Sequence, residues 1–527
     1  MGGWVEPCVE CVMPDFDQPN RFERQKRKLF WLWRRWQQLL FRLSPKYLMP
    51  RDYRRDLVID RADDEAENAR YRIPPDQTYD VLGLMLVEYY GPSDFDGLAS
   101  NLKRLGWLRS HSGEESVAEW LRSRRLVMRG QSSTTLARIV RSSDSAHSLL
   151  PSNPVNRLPP WCKNVDIHFL QINPAMTAAV TFFQLEPDHV CDVISAARQS
   201  FSTEMRPMKT PGVSIHGPEL LKREAVSRTR QNVAADAREW HASHIPGIFA
   251  QGGTGISNPV MELARTDGLD AFPAPRRSGP QGPALELLGL HNFWSAWEDE
   301  SPTKVIFNEQ LHDRSLDISP YSVLVYAKDA EAQLLGKMYH DPGHTLYRHH
   351  QHFFTIIGLG ALLRHYGRIL STARDRMPSV TRARTVAKSA ESYREQHASI
   401  GDIAIIVAEL KRDDFRARIR KLSPRYIRRD KLGGAADDQF SDVLSQHIDN
   451  TIERLETLHD VVRNTITDRL AVSTSVEMLK LSRRTLFIAA LALAVSLVGV
   501  FADSWVPLLK RAPPDQMHSG AEFETAK

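Results

Sequence analysis

Residues 437–502 read DDQFSDVLSQHIDNTIERLETLHDVVRNTITDRLAVSTSVEMLKLSRRTLFIAALALAVSLVGVFA, and this stretch decides the architecture. No Pro or Gly interrupts the chain between Ala435 and Val498, so one helix of roughly 95 Å is sterically allowed. Leu444, Ile448, Ile452, Leu455, Leu458, Val462, Ile466 and Leu470 step by threes and fours. The mean step is closer to a straight helix than to a heptad seam, which predicts a stripe packed on preceding helices. Past Leu470 the stripe thins into Ser473-Thr474-Ser475, and residues 486–502 are then uniformly apolar or small. That run reaches the lower limit for crossing a bilayer. Lys480, Arg483 and Arg484 before it, and Trp505, Lys510 and Arg511 after it, supply interfacial anchors. The pattern predicts a stalk helix over 437–485, a transmembrane helix over 486–505 and a disordered tail over 506–527.

At the other end, residues 21–43 form a basic aromatic segment. On a helix, Phe22, Leu29, Leu32, Trp33, Trp36, Leu39, Leu40 and Leu43 share one face, while Arg24, Arg27, Lys28, Arg34, Arg35 and Arg42 occupy the other side. Indoles at headgroup depth with cations behind them suit an interfacial helix on anionic lipid; a surface helix packed on its own domain gives the same moment. Residues 1–57 are therefore read as a basic amphipathic segment.

Between these ends the signals are mixed. Helical patterns fall at 56–71, 79–90, 94–105 and 114–125. Residues 142–160 read as a linker rich in Ser, Asn and Pro. Val165, Ile167 and Phe169 then alternate with polar neighbours, Asn173-Pro174 turns the chain, and 177–185 is rich in Val, Thr and Phe: a hairpin. Helices are predicted at 188–201 and 219–241, an irregular Gly/Pro-rich excursion at 246–283, and strands at 304–307 and 322–327. From Leu346 the pattern is helical, broken at Pro378 and resumed over 381–422, with Gly433-Gly434 turning an antiparallel helix pair. The fold class that follows is α+β: a mixed domain over 58–345, a helical region over 346–436, and the long C-terminal helix continuing into one span.

The chain has 527 residues, a formal net charge of +5 and 25% charged residues, too weakly basic to predict nucleic-acid binding without a clustered patch. Of the four cysteines, Cys8 and Cys11 form C-x2-C, but Cys162 and Cys191 do not repeat the short spacing of a zinc knuckle. Residues 1–20 lack the charged start and apolar core of a secretory signal, which favours a cytoplasmic placement of the N-terminal bulk and reduced thiols.

No catalytic residue and no cofactor is assigned from sequence. Gly252-Gly253-Thr254-Gly255 lacks both the Lys-Ser/Thr of a phosphate loop and a preceding strand. His340, His344, His349, His350 and His352 crowd thirteen positions, with Asp341 and Asp313 as further ligand types. Imidazole suits Zn, Fe, Cu or Ni. Pro342-Gly343 interrupts the spacing, however, and His-Glu-x-x-His is absent, so solvated or hydrogen-bonded structural histidines are the competing reading and the metal question stays open. Neither a Gly-x-Ser-x-Gly motif nor a kinase signature set is present.

The layout over 381–502, an antiparallel helix pair followed by a long stalk entering the membrane, resembles CorA-type divalent-cation channels. That family carries Gly-Met-Asn after its first span and then a second span. Here Val500-Phe501-Ala502-Asp503 follows the apolar run without either feature, so no functional residue is carried over and a conducting pore is not implied. The sequence thus predicts a single-pass membrane protein with a large cytoplasmic ligand- or partner-binding domain. The alternatives are a membrane-tethered enzyme, metal-dependent through the histidines, and a non-conducting channel relative. Its expected partners are the lipid bilayer through the C-terminal span, anionic lipid at the N-terminal helix, and a second copy of itself.

Overall fold

A computed structural model describes residues 32, 35–36, 61–107, 116–126, 132–145, 152–186, 192–207, 213–251, 257–269, 282–290, 296–299, 303–307, 321–328, 341–380, 400–412, 426–429 and 435–509. In chain order these form α1 (Asp64–Arg70), β1 (Thr78–Tyr90), α2 (Phe95–Leu105), α3 (Val117–Leu126), β2 (Ser132–Thr135), β3 (Arg138–Arg141), β4 (Ser152–Val155), β5 (Cys162–Asn173), β6 (Met176–Leu185), α4 (Asp192–Arg198), β7 (Glu204–Pro207) and β8 (Val213–His216). There follow α5 (Pro218–His244), β9 (Val260–Asp267), α6 (Gly282–Leu287), β10 (Ala296–Asp299), β11 (Thr303–Phe307), β12 (Tyr321–Ala327), α7 (Pro342–Val380), α8 (400–412), β13 (Tyr426–Arg429), β14 (Ala435–Gln439) and α9 (Phe440–Leu509). The fold is α+β with a helical C-terminus.

The chain divides into two units, one of residues 1–365 and 405–452, the other of 366–404 and 453–527. The first is built on a mixed sheet ordered β14-β13-β10-β11-β12-β9-β1-β6-β5-β3-β4, with β2 also on β5. Most neighbours are antiparallel, while β12–β9 and β3–β4 are parallel. Strands β1, β5 and β6 are buried almost throughout, because helices cover both faces of the sheet.

This explains the first correction. Residues 79–90, predicted helical, are the central strand β1. Its run VLGLMLVEYY is apolar on both faces, so period-two alternation is erased and a buried strand resembles a buried helix. A bulge between Val81 and Gly83 adds to the ambiguity. Before the bulge Tyr79 and Val81 face the core shared with α2, α3 and α5; after it Leu84, Leu86 and Tyr90 do. Gly83 is required there, since a Cβ would strike the Phe182 ring and the Phe183 carbonyl.

On that face the indoles of Trp107 and Trp240 stack at 6.2 Å, and Phe183 meets Trp240 edge-on at 5.5 Å. On the opposite face α7 lies on β1 and β6. Tyr347 stacks on Phe182 at 5.1 Å, the Tyr89 hydroxyl donates to the Thr355 carbonyl, and Gly358 sits against Val87 and Tyr89.

The hairpin β5–β6, the strands β11 and β12, and the helices α2, α3 and α5 lie where the patterns predict. Four further readings are corrected. The 142–160 linker contains a helical turn and β4; the 246–283 excursion contains β9, an interior strand of the sheet. Helix α7 continues through Pro378 to Val380. The residues flanking Gly433-Gly434 are the antiparallel strands β13 and β14 rather than two helices, so the last helix starts at Phe440.

Along α9 the apolar stripe is buried: Leu444, Ile448 and Ile452 in the first unit, and Leu455, Val462 and Ile466 in the second. Burial then stops. From Val472 to Phe501 every large apolar side chain described is exposed, Leu486 at 69% and Val498 at 68% among them. Residues Thr474–Phe501 form one helix with mean hydropathy 2.2 over its most apolar window, none of which is buried.

Candidate functional site

The histidines singled out in the sequence mark the start of α7. Asp341 precedes Pro342, which opens the helix with a fixed φ and no orphan donor. The Asp341 carboxylate accepts the His344 amide at 3.2 Å and the Gln184 side chain at 2.8 Å, so it caps the helix and ties it to β6. This placement sets His344 over β5, with its Nδ1 3.1 Å from Asp166 Oδ2. Arg138 of β3 forks onto both Asp166 oxygens at 3.1 Å.

Asp166 is 5% exposed, against 16% for the His344 side chain and 40% for Arg138, so an enclosed carboxylate is reached through two half-open basic groups. Burial drives the Asp166 carboxyl upward, but the His344 hydrogen bond and the Arg138 charge outweigh it and hold it below its usual range. Donation from Nδ1 to Asp166 leaves the lone pair on Nε2, which has no hydrogen-bond partner among the described residues. The arrangement orients an imidazole as a proton acceptor beside a guanidinium, a geometry suited to an acidic or proton-donating ligand.

Two residues along β5, His168 meets Thr135 Oγ1 at 2.8 Å and the edge of His352 at 5.8 Å. Burial, reinforced by His352 and Arg348, lowers His168 to about 3, and burial lowers His352 as well. Both rings are therefore neutral, with His168 Nε2 and His352 Nδ1 buried and without partners. His350 turns elsewhere: its Nδ1 meets the Leu346 carbonyl at 2.8 Å, its ring faces Phe353, and burial lowers it to about 4. His349 is exposed.

The four of these histidines among the described residues thus do not converge. One joins Asp166, one pairs with His168, one packs in the core and one faces solvent, while His340 lies outside the described residues. A metal centre needs about three protein ligands, and among the described residues no three His, Cys, Asp or Glu side chains come together to hold an ion. Asp313, the Gly252–Gly255 loop, Cys8, Cys11 and Cys191 also lie outside the described residues. Cys162 is buried, and burial raises its thiol well above the usual range.

Sequence reading missed Asp166, Arg138 and Gln184. Asp166 and His168 alternate with Val165, Ile167 and Phe169 in a strand read only for its apolar face. Two charged or titratable side chains on the other face of such a strand were the available signal.

Two more polar clusters lie inside the sheet unit. Arg230 donates to both Glu262 oxygens at 2.9 Å, to Tyr79 at 2.9 Å and to the Leu288 carbonyl at 2.9 Å. Tyr79 and Tyr321 donate to the same carboxylate. Every partner is satisfied and the ion pair is closed to solvent, so this network joins α5 to β1, β9 and β12. Glu88, wholly buried, accepts the amides of Tyr89, Phe249 and Ala250 and the Asn258 side chain at 2.8–3.1 Å. Burial raises its carboxyl to about 7 against these donors.

Comparison of the chain with protein families, with characterised proteins and with solved structures finds no match.

Proposed function

We propose that this chain is a C-terminally anchored, single-pass membrane protein whose α+β unit stays on the cytoplasmic side and binds a ligand or partner at the membrane surface. The observation that carries this reading is the abrupt loss of burial along α9. A core helix with mean hydropathy 2.2 would be covered; Thr474–Phe501 is wholly uncovered. Its 28 residues extend about 42 Å at 1.5 Å per residue, more than the ~30 Å hydrocarbon core.

Leu32 and Trp36, 57% and 64% exposed, are consistent with a second contact of the basic N-terminal helix with anionic headgroups. The half-open Arg138 and His344 form the place on the α+β unit where a small acidic ligand would be met. A tethered enzyme is the second reading, favoured by the carboxylate-oriented imidazole of His344.

Alkaline carbonate extraction of membranes from cells making the full chain tests the anchor. The protein should sediment with the membranes, and a variant lacking residues 486–502 should be released. Release of the full chain into the supernatant would overturn the proposal.

A further inference from the structure

The hairpin β7–β8 pairs Glu204 with His216 and Arg206 with Ser214. Alternation puts these four side chains on one face, and Met205 and Ile215 on the other. Helix α5 begins at Pro218, and its second turn brings Glu224 against the polar face. Ser214 Oγ lies 2.9 Å from His216 Nε2, and His216 Nδ1 lies 3.2 Å from Glu224 Oε1. The Arg206 guanidinium donates to the other Glu224 oxygen at 2.7 Å and holds that carboxyl below its usual range.

From this geometry we infer that Ser214, His216 and Glu224 form a nucleophile, base and orienting carboxylate that cleave small esters carrying an anionic group. Glu224 accepts the Nδ1 proton, which leaves the Nε2 lone pair facing the serine; roles in such relays are set by geometry, not by order in the chain. The Ser214 hydroxyl also approaches the Arg206 carbonyl at 3.3 Å, but its shorter contact is the imidazole. All three side chains are half-buried, His216 16% and Glu224 32% exposed.

Glu224 also lines a depression of about 410 Å³ with Arg223, Ser227, Arg228 and Gln231. Arg223 is engaged by Glu219 and Glu286. Arg228 is exposed and has no ion-pair partner among the described residues, so it favours an anionic substituent.

In the reaction, Ser214 Oγ bonds to the acyl carbon as His216 Nε2 takes the hydroxyl proton. The ester C–O bond breaks, and the imidazolium returns that proton to the leaving alkoxide. Water then attacks the acyl-serine with His216 again as base, releasing the acid and restoring Ser214.

A second pair provides a comparison. Ser243 Oγ lies 3.0 Å from His244 Nδ1, but both contact the Trp240 carbonyl at 2.7 Å, and among the described residues no carboxylate orients that histidine. This inference is independent of the membrane reading.

The test treats the full-length protein with a fluorophosphonate, which transfers its phosphonyl group to an activated serine with loss of fluoride. Adduct mapping by mass spectrometry should place it on Ser214. Ser214→Ala should abolish labelling, and Ser243→Ala should leave it unchanged. His216→Gln keeps a hydrogen-bonding side chain between its neighbours but cannot accept the proton; labelling should fall by roughly a hundredfold with an unchanged melting curve. A p-nitrophenyl hemisuccinate should be hydrolysed faster than p-nitrophenyl acetate. Absence of a Ser214 adduct, or equal labelling of His216→Gln and wild type, would overturn the assignment.

Discussion

Replacing His241 with Met should flatten the acid limb of the stability curve. His241 lies on α5, 1% exposed, with Nε2 unpartnered. Burial, reinforced by His244, lowers it to about 3, whereas an unfolded histidine titrates near ~6.5. Between those values the unfolded chain takes up a proton that the folded chain refuses. Stability therefore falls as pH falls, by about 1.4 kcal/mol per pH unit for this group at full uptake.

His168 and His350, lowered to about 3 and about 4, act in the same sense, so three histidines give about 4 kcal/mol per unit. Glu88, raised to about 7, acts oppositely: its contribution is fully present below the unfolded value and is lost as pH rises through the folded one. It offsets about one histidine near pH 5, leaving a net slope of about 3 kcal/mol per unit. His241→Met should remove roughly half of that. Urea unfolding of the full chain in detergent, followed by tryptophan fluorescence between pH 7.5 and 4.5, measures the slope in each protein. Parallel profiles for wild type and variant would refute the reasoning.

Three further outcomes follow from other buried groups. Glu88→Gln turns an amide N–H toward Ala250 or Asn258, so it should cost about 1–3 kcal/mol at pH 8 and abolish the Glu88 contribution between pH 4.5 and 7, both read from the same urea curves. Arg230→Met strands the Glu262 carboxylate and should cost about 3–5 kcal/mol; adding Glu262→Gln should recover part of that loss, which a double-mutant cycle quantifies. Gly358→Ala would drive a Cβ into Val87 and to 2.8 Å from the Tyr89 hydroxyl, at a cost of about 1–3 kcal/mol. Gly367→Ala, whose nearest neighbour would be 3.6 Å away, should leave the melting temperature nearly unchanged.

The parts of the fold that sequence disclosed are those with one wet face. The α9 stripe, the α2 and α5 helices and the β5–β6 hairpin all carry a periodicity that survives in the residues themselves. The interior strands β1 and β9 do not, because both are buried almost throughout, β1 between α7 and α5, and a bulge at Gly83 shifts the alternation of β1. Strands β13 and β14 are short segments whose pairing partners are set by β10, far away in sequence.

The sites behaved similarly. His344 was visible within a histidine run, but its partner Asp166 is nearly 180 residues away, and only the packing of α7 on β5 joins them. Ser214 and His216 are neighbours on one strand, a spacing shared by many unremarkable pairs; Glu224 gives it meaning only after the chain turns into α5.

The most direct test of the membrane assignment is cysteine accessibility along α9. In a chain with Cys8, Cys11 and Cys191 replaced by Ser, and buried Cys162 retained, single cysteines at Ser475, Ala490 and Ser519 are treated with a membrane-impermeant maleimide. With the α+β unit cytoplasmic, Ser519→Cys should label on intact cells, Ser475→Cys only after lysis, and Ala490→Cys in neither state until detergent is added. Labelling of Ala490→Cys in intact membranes, as readily as Ser475→Cys after lysis, would show that this helix lies in water and would contradict the account.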